Sequence, residues 1–250
     1  FNNFQIELIA VVFMLISATN FGLHFLALTK KSIKYHLNND EFKFFLLVIA
    51  VSIIVSTLTL FLKENFTLSD SLRFGVFQTV SIVTTTGYTL EPLSNLGNTM
   101  PFFIFIIAFI GACSGSVGGG MKAWRILTLL KIGFSNITKI MHPNAVSTTK
   151  MNGEKISSSQ IEAVFSFIAI YIAFFLLFLF VLIFQNVDFY SAFSGTAAAI
   201  NNLGPGLGQF AENYSSLSDS AKLTLAGAMI VGRLELFGVL ILLFPSYWRS

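Results

Sequence analysis

Residues 111 to 122 read GACSGSVGGGMK, with five glycines in twelve residues and a lysine at the end. Such a run is compatible with a phosphate-binding loop or with a break in a membrane helix. The phosphate-loop pattern G-x-x-x-x-G-K-[ST] fails, because counting from Gly115 inserts Met121 before Lys122. The preceding segment, PFFIFIIAFIGA at 101–112, is apolar and typical of a membrane helix. The run therefore predicts a helix interruption at mid-membrane depth, with small-residue helix packing as the alternative.

The composition indicates a membrane protein. Of the 250 residues, 54% are hydrophobic and 11% are charged, and the mean hydropathy is +0.77. A soluble domain has about 25% charged residues, so this chain has too few to cover a soluble fold. Stretches without charge extend over 8–29, if its histidine is counted as neutral, and over 44–62 and 163–187. Because about 20 apolar residues cross roughly 30 Å of hydrocarbon, we predict three long spans in an all-α integral membrane protein.

The basic residues predict the orientation of the chain. Most of them lie in two linkers and near the C-terminus: Lys30, Lys31, Lys34 and Lys43; Lys122, Arg125, Lys131, Lys139, Lys150 and Lys155; and Arg249. The positive-inside rule places these segments on the cytoplasmic side, so an even number of crossings must separate them. The net charge of +3 is therefore attributed to orientation and not to nucleic-acid binding. The single Cys113 and three scattered histidines predict neither an internal disulfide nor a metal-ligand cluster.

A repeated unit occupies the segments between these linkers. Residues 69–83 predict a short helix capped by Ser69 and Asp70, and fifteen residues are about 22 Å, too short to cross comfortably. The polar segment TTTGYTL follows, and an apolar stretch resumes at Met100. Downstream, a short helix at 188–200 is followed by the turn NNLGPGLG and another apolar stretch. The pattern predicts two re-entrant units, each between two spans, with two surface hairpins as the alternative.

The segment TTTGYTL, residues 84–90, predicts a cation-selective turn. Potassium filters replace the hydration shell of the ion with backbone carbonyls and have the sequence TVGYG. This chain keeps the Thr, a β-branched residue, the Gly and the aromatic, while Thr86 replaces Val and Thr89 replaces the last Gly. The equivalent segment of the second unit is NLGPG at 202–206. A pore helix that ends at either turn directs the negative end of its dipole there, which favours cations.

Arg233 lies in the apolar segment AGAMIVGRLELFGVLILLF and is followed by Glu235. In a helix the two side chains point about 200° apart, so we do not expect them to pair. Ionisable groups inside a span are functional candidates by default. We expect Arg233 to donate hydrogen bonds to carbonyls of the broken helix and to raise an electrostatic barrier to passing ions. The alternative is an arginine that snorkels to the membrane interface.

Several motifs together resemble the Trk/Ktr/HKT superfamily of potassium transport proteins, most closely its TrkH branch. The motifs extend over nearly the whole chain: NFGLHF, NDEFKFF, TTTGY, GACSGSVGGGMKAWRILTLLK, HPNAV, MNGEKIS, NNLGPGLG, GRLELF and FPSYWR. The resemblance implies span–pore-helix–span repeats, four in one polypeptide, around a single potassium pore. Two of the four filter segments would then lie outside these 250 residues, so we expect the chain to be a fragment of a longer protein.

The resemblance also implies how the chain is divided. Residues 1–36 would be the last span of the second repeat and a cytoplasmic linker. Residues 37–155 would be the third repeat, with span 42–62, pore helix 69–83, filter 84–90 and a broken inner helix 100–141. Residues 156–250 would be the fourth repeat, with span 160–187, pore helix 188–200, filter 201–207 and inner helix 219–245.

Site roles follow from the same resemblance. The filter carbonyls would belong to Thr85, Thr86, Gly87 and Tyr88 and to Asn202, Leu203, Gly204 and Pro205. The intramembrane gate beneath them would consist of Gly111, Ser114, Gly115, Ser116, Gly118, Gly119 and Gly120, with Arg233 as electrostatic partner. The expected ligand is K+, held by filter carbonyls only, with no organic cofactor and no enzymatic activity.

The expected setting is a multi-pass protein of the bacterial cell (inner) membrane, in contact with membrane lipid. The resemblance implies a homodimer and a cytosolic nucleotide-binding regulatory ring of the TrkA type, which the basic linker 121–155 could face. No nucleic-acid partner is expected. The main functional prediction is a channel-like, potassium-selective uptake protein. An ion-coupled K+ symporter and a non-conducting membrane scaffold remain as alternatives.

Overall fold

The computed structural model describes residues 3–64, 66–143, 148–211, 213–215 and 217–249, which form a helical protein. Part of the HPNAV motif, residues 144–146, lies outside this range. The helices are α1 Phe4–Ala18, α2 Phe21–Thr29, α3 Lys34–Leu37, α4 Asp40–Lys63, α5 Leu68–Val83, α6 Thr99–Ala108, α7 Ala123–Met141, α8 Ser158–Phe184, α9 Phe189–Ile200, α10 Asp219–Arg233 and α11 Phe237–Leu243. Short 3-10 turns lie at Leu93–Leu96, Gly208–Phe210 and Pro245–Arg249.

Within the described residues, two helices are long and apolar enough to cross a membrane, α4 with 24 residues and α8 with 27. A third span is counted only if α1 and α2 are taken together, and these two helices meet at an angle of 96°. The stretch 8–29, which was predicted as one long span, is therefore a bent pair of helices. The helix ends because the Thr19 hydroxyl donates to the Leu15 carbonyl (2.9 Å), and Asn20 then caps α2 through the Gly22 amide (2.7 Å).

The short helices α5 and α9 are buried elements. α5 packs against α4, and α9 packs between α8 and α10. The residues of their second halves, 77–83 and 194–200, are buried. A helix that is buried on all sides is not a surface hairpin, so this burial argues against that alternative. Close approach to α4 requires Gly75, since a Cβ there would lie 2.5 Å from the Thr57 hydroxyl.

Polar caps fix where the two short helices begin. The side chain of Asp188 accepts a hydrogen bond from the Ser191 amide (3.0 Å) and starts α9. The hydroxyl of Thr67 accepts from the Asp70 amide (3.2 Å) and starts α5. The cap predicted at Ser69 and Asp70 is therefore wrong, because Asp70 contributes the donor and lies inside the first turn.

Both inner segments that follow the turns are interrupted. Between α6 and α7 the chain forms the loop 109–122. The last segment, predicted as a helix over 219–245, is broken between α10 and α11, where Glu235 and Leu236 have φ values of +52° and +57°. The Glu235 carboxylate forms an ion pair with Arg125 (2.7 Å) outside the helix. This long-range contact accompanies a backbone break that no Gly or Pro marks in the sequence.

A β-hairpin in the basic linker contacts the start of α4 and the middle of α7. Its strands, β1 Lys150–Met151 and β2 Glu154–Lys155, are joined by Asn152 and Gly153 with φ values of +51° and +85°. Asn-Gly is the favoured pair for such a turn. The Asp40 carboxylate accepts from the Asn152 amide (3.0 Å) and from Lys131 (2.6 Å). The linker is therefore tied to the membrane helices.

Candidate ion-conduction site

The first filter segment continues directly from the C-terminus of α5. Its amides turn back onto the helix: Thr85 donates to Ile82 (3.0 Å) and Thr86 donates to Ser81 (2.9 Å). Thr85 has a φ of +57° and Gly87 has a φ of +83°, both in the left-handed region. A β-branched residue in that region is strained, so the surrounding structure must hold Thr85 there.

The second filter segment has the same backbone structure. Asn202 donates to Ala199 (3.0 Å) and Leu203 donates to Ala198 (2.8 Å), which are the same i→i−3 and i→i−5 bonds as in the first segment. Left-handed φ values recur at Asn202 (+53°) and Gly204 (+102°). The sequences TTTGY and NNLGP share little besides the glycine, yet they adopt one turn. This structural repeat supports the alignment of the two units.

The two filter segments lie side by side. A Cβ at Gly87 would be 2.1 Å from the Leu203 carbonyl oxygen and 3.1 Å from Cδ of Pro205. The backbones therefore approach each other where a side chain has no room. In the second segment the Gly204 carbonyl accepts from the Tyr214 hydroxyl (2.6 Å), which positions this turn.

In the filter segments the backbone amides and the backbone carbonyls differ in their hydrogen bonding. The amides of both turns donate back to the pore helices. Among the hydrogen bonds within the described residues, none is accepted by the carbonyls of Thr85, Thr86, Gly87, Asn202 or Leu203. Unpaired backbone carbonyls in a membrane protein require a partner such as water or a cation. Both pore helices also end at these turns, so their dipoles favour positive charge there.

The loop 109–122 lies directly against both filter segments. The Gly119 amide donates to the Thr85 hydroxyl (2.6 Å). A Cβ at Gly119 would be 1.9 Å from the Asn201 carbonyl oxygen, and one at Gly118 would be 3.1 Å from the Thr84 carbonyl oxygen. Glycine is therefore required at 119 by close packing against the filter, and at 118 mainly by the Ala112 side chain, 2.4 Å from the same Cβ.

The beginning of the loop is attached to the bend between α1 and α2. Cys113 donates to the Ala18 carbonyl (2.9 Å), and the Phe21 amide donates to the Gly115 carbonyl (3.1 Å). The helix break leaves carbonyls and amides available for these bonds. Of the predicted gate residues, Gly118 and Gly119 thus contact the filter segments, and Gly115 contacts the bend. Gly111 and Gly120, with φ values of +71° and +80°, cross at the neck of the loop.

Glu41 is a site residue that the sequence analysis missed. Its side chain is 4% exposed, and Oε1 accepts from the Ser114 amide (2.5 Å) and the Trp124 amide (3.0 Å). One carboxylate at the start of α4 therefore fixes both the loop and the first turn of α7. The motif NDEFKFF contains Glu41, but its partners are 73 and 83 residues away in sequence.

Two cations contact the loop. Arg233 donates from Nη1 to the Val117 carbonyl (3.1 Å), a carbonyl of the broken segment. The second cation is Lys122, which was predicted as the first basic residue at the cytoplasmic end of the broken helix. Its side chain is 6% exposed and turns into the loop, because Nζ donates to the Ser116 carbonyl (3.4 Å) and to the Gly118 carbonyl.

A cavity of about 280 Å³ separates the loop from the end of α10. Its lining includes Gly118, Lys122, Asn202, Arg233 and Glu235. Both cations, one filter residue and the loop backbone therefore share one polar space.

Buried pore helices, glycine turns with unpaired carbonyls and an interrupted inner segment define a membrane transport protein. Comparison with known proteins agrees: the family model described as "TrkH: Cation transport protein" matches residues 1–250. The chain belongs to the TrkH family, and the resemblance found in the sequence is confirmed. This is a family of cation transport proteins and not of enzymes.

Individual relatives give the same result. The Trk system potassium uptake protein TrkH of Vibrio parahaemolyticus is 40% identical over 253 residues, and that of Halomonas elongata is 38% identical over 250. Each match covers 100% of this chain and 52% of the relative. The crystal structure of the potassium transporter TrkH from Vibrio parahaemolyticus superposes with a TM-score of 0.93, covering 100% of this chain and 54% of that one. The chain thus spans about half the length of these relatives.

Proposed function

We propose that this chain supplies two adjacent segments of a potassium-selective conduction pathway in a membrane uptake protein. The observation that carries the proposal is the pair of equivalent turns, which lie side by side and leave five backbone carbonyls without a hydrogen-bond donor among the described residues. Carbonyl oxygens are the ligands that replace the hydration shell of K+. The relatives that bear the name potassium uptake protein support the choice of ion.

In the proposed pathway K+ is the transported ion and no further cofactor is required. The carbonyls of 85–88 and 202–205 would line the filter together with equivalent segments elsewhere in the complete transporter. Gly87 and Gly204 permit the left-handed backbone that aims successive carbonyls. Thr85 and Asn202 extend the same conformation toward the loop.

The loop 111–120 would act as the gate. It contacts both filter segments through Gly118 and Gly119 and is contacted by Arg233. Since its amide at Gly119 donates to Thr85, the loop is coupled to the filter when it is closed. Opening would require it to leave this position, and its glycines would permit the change in backbone angles.

The setting of the complete transporter is also a proposal. We place it in the bacterial inner membrane as a homodimer with a cytosolic nucleotide-binding ring. The linker elements α7 and the β-hairpin contain Lys131, Lys139, Lys150 and Lys155, which would give that ring a positively charged surface to contact. The names of the relatives specify a Trk system, which implies more than one component.

Proton-coupled symport is less favoured by the structure. The two most buried carboxylates among the described residues are both engaged: Glu7 forms an ion pair with Arg73 (2.5 Å), and Glu41 accepts two backbone amides. A proton that bound to either group would weaken these structural hydrogen bonds. A non-conducting scaffold would have no use for two equivalent turns with unpaired carbonyls.

Ion flux in vesicles containing the complete transporter tests the proposal. Potassium and rubidium flux should exceed sodium flux. Gly87→Ser should lower the K+ to Na+ permeability ratio, since its Cβ meets the Leu203 carbonyl oxygen at 2.1 Å and its φ is +83°. Gly133→Ser is the matched control, because nothing lies within 4 Å of that position. An unchanged permeability ratio in Gly87→Ser would contradict the filter assignment.

A further inference from the structure

Three consecutive carbonyls of the gate loop are each held by a cation. Lys122 Nζ donates to the carbonyls of Ser116 and Gly118, and Arg233 donates to the carbonyl of Val117 between them. The segment 116–118 is therefore clamped by two side chains that come from different helical segments. Arg233 belongs to α10, whereas Lys122 immediately precedes α7.

Lys122 occupies its position against three unfavourable effects. Its φ of +74° lies in the left-handed region, which a side chain other than glycine adopts at a cost. Its ammonium group is buried, and it lies at the N-terminus of α7, where the helix dipole disfavours positive charge. Within the described residues no carboxylate forms an ion pair with it. The Lys122 ammonium group therefore uses its charge to bind the carbonyls of the loop.

We propose that Lys122 is a tethered cation that locks the gate loop closed, an inference that rests on the proposed function of that loop. An ammonium group donates three hydrogen bonds and binds the same carbonyl ligands that a dehydrated K+ needs. With Lys122 in place, the carbonyls of Ser116 and Gly118 are occupied and hold the loop against the filter. Lys122 is a positioning residue that acts through the loop backbone.

The position of Lys122 also couples the lock to α7. Only one peptide bond separates it from Ala123, the first residue of the helix. A displacement of α7 along its axis would withdraw the ammonium group from the loop carbonyls before it stretches the loop itself. A regulator that moves α7 would in this way release the gate.

Basal rubidium flux through the complete transporter in vesicles, without a regulator, tests this inference. Lys122→Met keeps the length of the side chain and removes its charge, so basal flux should rise at least about fivefold, the lower end of typical coupling effects. Lys139→Met is the matched control, since Lys139 is an exposed lysine of the same helix, and it should leave the flux unchanged. Unchanged or reduced basal flux in a correctly assembled Lys122→Met variant would overturn the proposal.

Chemical restoration of the charge separates locking from packing. In Lys122→Cys, an aminoethyl thiosulfonate reagent attaches an ammonium group and should return basal flux toward that of the unmodified protein. A neutral methyl thiosulfonate should not. Cys113 is 1% exposed, and the unmutated protein treated with both reagents is the control. Equal effects of the two reagents would overturn the charge-based lock.

The permeability ratio distinguishes this inference from the filter assignment. Lys122→Met should change the amount of flux and leave the K+ to Na+ ratio unchanged, because the loop and not the filter is altered. If Lys122→Met raises the flux but the wild-type protein does not select K+ over Na+, the lock is supported and the filter assignment is refuted. Absence of ion flux in every variant would refute both.

Discussion

Replacing Gly119 by alanine tests whether the loop closes the pathway. The added Cβ would lie 1.9 Å from the Asn201 carbonyl oxygen, whereas ordinary contact begins at 3.4 Å, so loop and filter must separate by about 1.5 Å. Overpacking of this kind costs about 1–3 kcal/mol. If only the closed state contains this contact, the ratio of open to closed transporter rises about 5- to 150-fold. Because the φ of Gly119 is not in the left-handed region, the contact alone causes the effect.

Rubidium uptake by vesicles without a regulator measures this ratio. Gly133→Ala in α7 is the matched control, since nothing lies within 4 Å of that glycine. Alanine there should stabilise the helix by roughly 0.5–1 kcal/mol and leave uptake unchanged. A monodisperse Gly119→Ala protein with the uptake of Gly133→Ala would refute the assignment of the loop as the barrier.

Two further predictions concern charged side chains that contact the loop. Arg233→Ala removes the hydrogen bond to Val117 and a positive charge from the cavity, so we expect higher basal conductance in single-channel or flux recordings. Unchanged flux would make Arg233 a packing residue. Glu41→Gln weakens two charged hydrogen bonds and should lower the free energy of unfolding by about 1.5–3 kcal/mol, seen as a lower unfolding temperature. The exposed Glu162→Gln, in α8, should not alter it, and equal unfolding temperatures for both variants would contradict the anchoring role of Glu41.

Local sequence signals predicted the elements that depend on local chemistry. Apolar runs located α4 and α8, and the glycine-containing polar segments marked the turns that follow two short helices. The repeat was visible because glycine recurs at 87 and 204, where both turns need a left-handed backbone. The Asn-Gly pair at 152–153 was an available hairpin signal that the analysis did not use.

What the sequence analysis missed depends on contacts between distant residues. The bend after α1 is stabilised in part by the Cys113 amide, which donates a hydrogen bond to the Ala18 carbonyl. The break after α10 accompanies the ion pair of Glu235 with Arg125. Lys122 has the pattern of a linker lysine, and only the folded loop shows that its ammonium group turns inward. Glu41 lies in the first turn of a helix, where an acidic residue is favourable because of the helix dipole. This ordinary explanation gives no sign that Glu41 also binds amides of the loop and of α7.

We propose that the two turns form adjacent walls of one potassium filter. Anomalous scattering from crystals of the complete transporter, with K+ replaced by Rb+, is a direct test. We expect a rubidium peak bordered by the carbonyls of 85–88 and of 202–205. Well-ordered filter segments with no rubidium between them, or with rubidium bound only elsewhere, would contradict it.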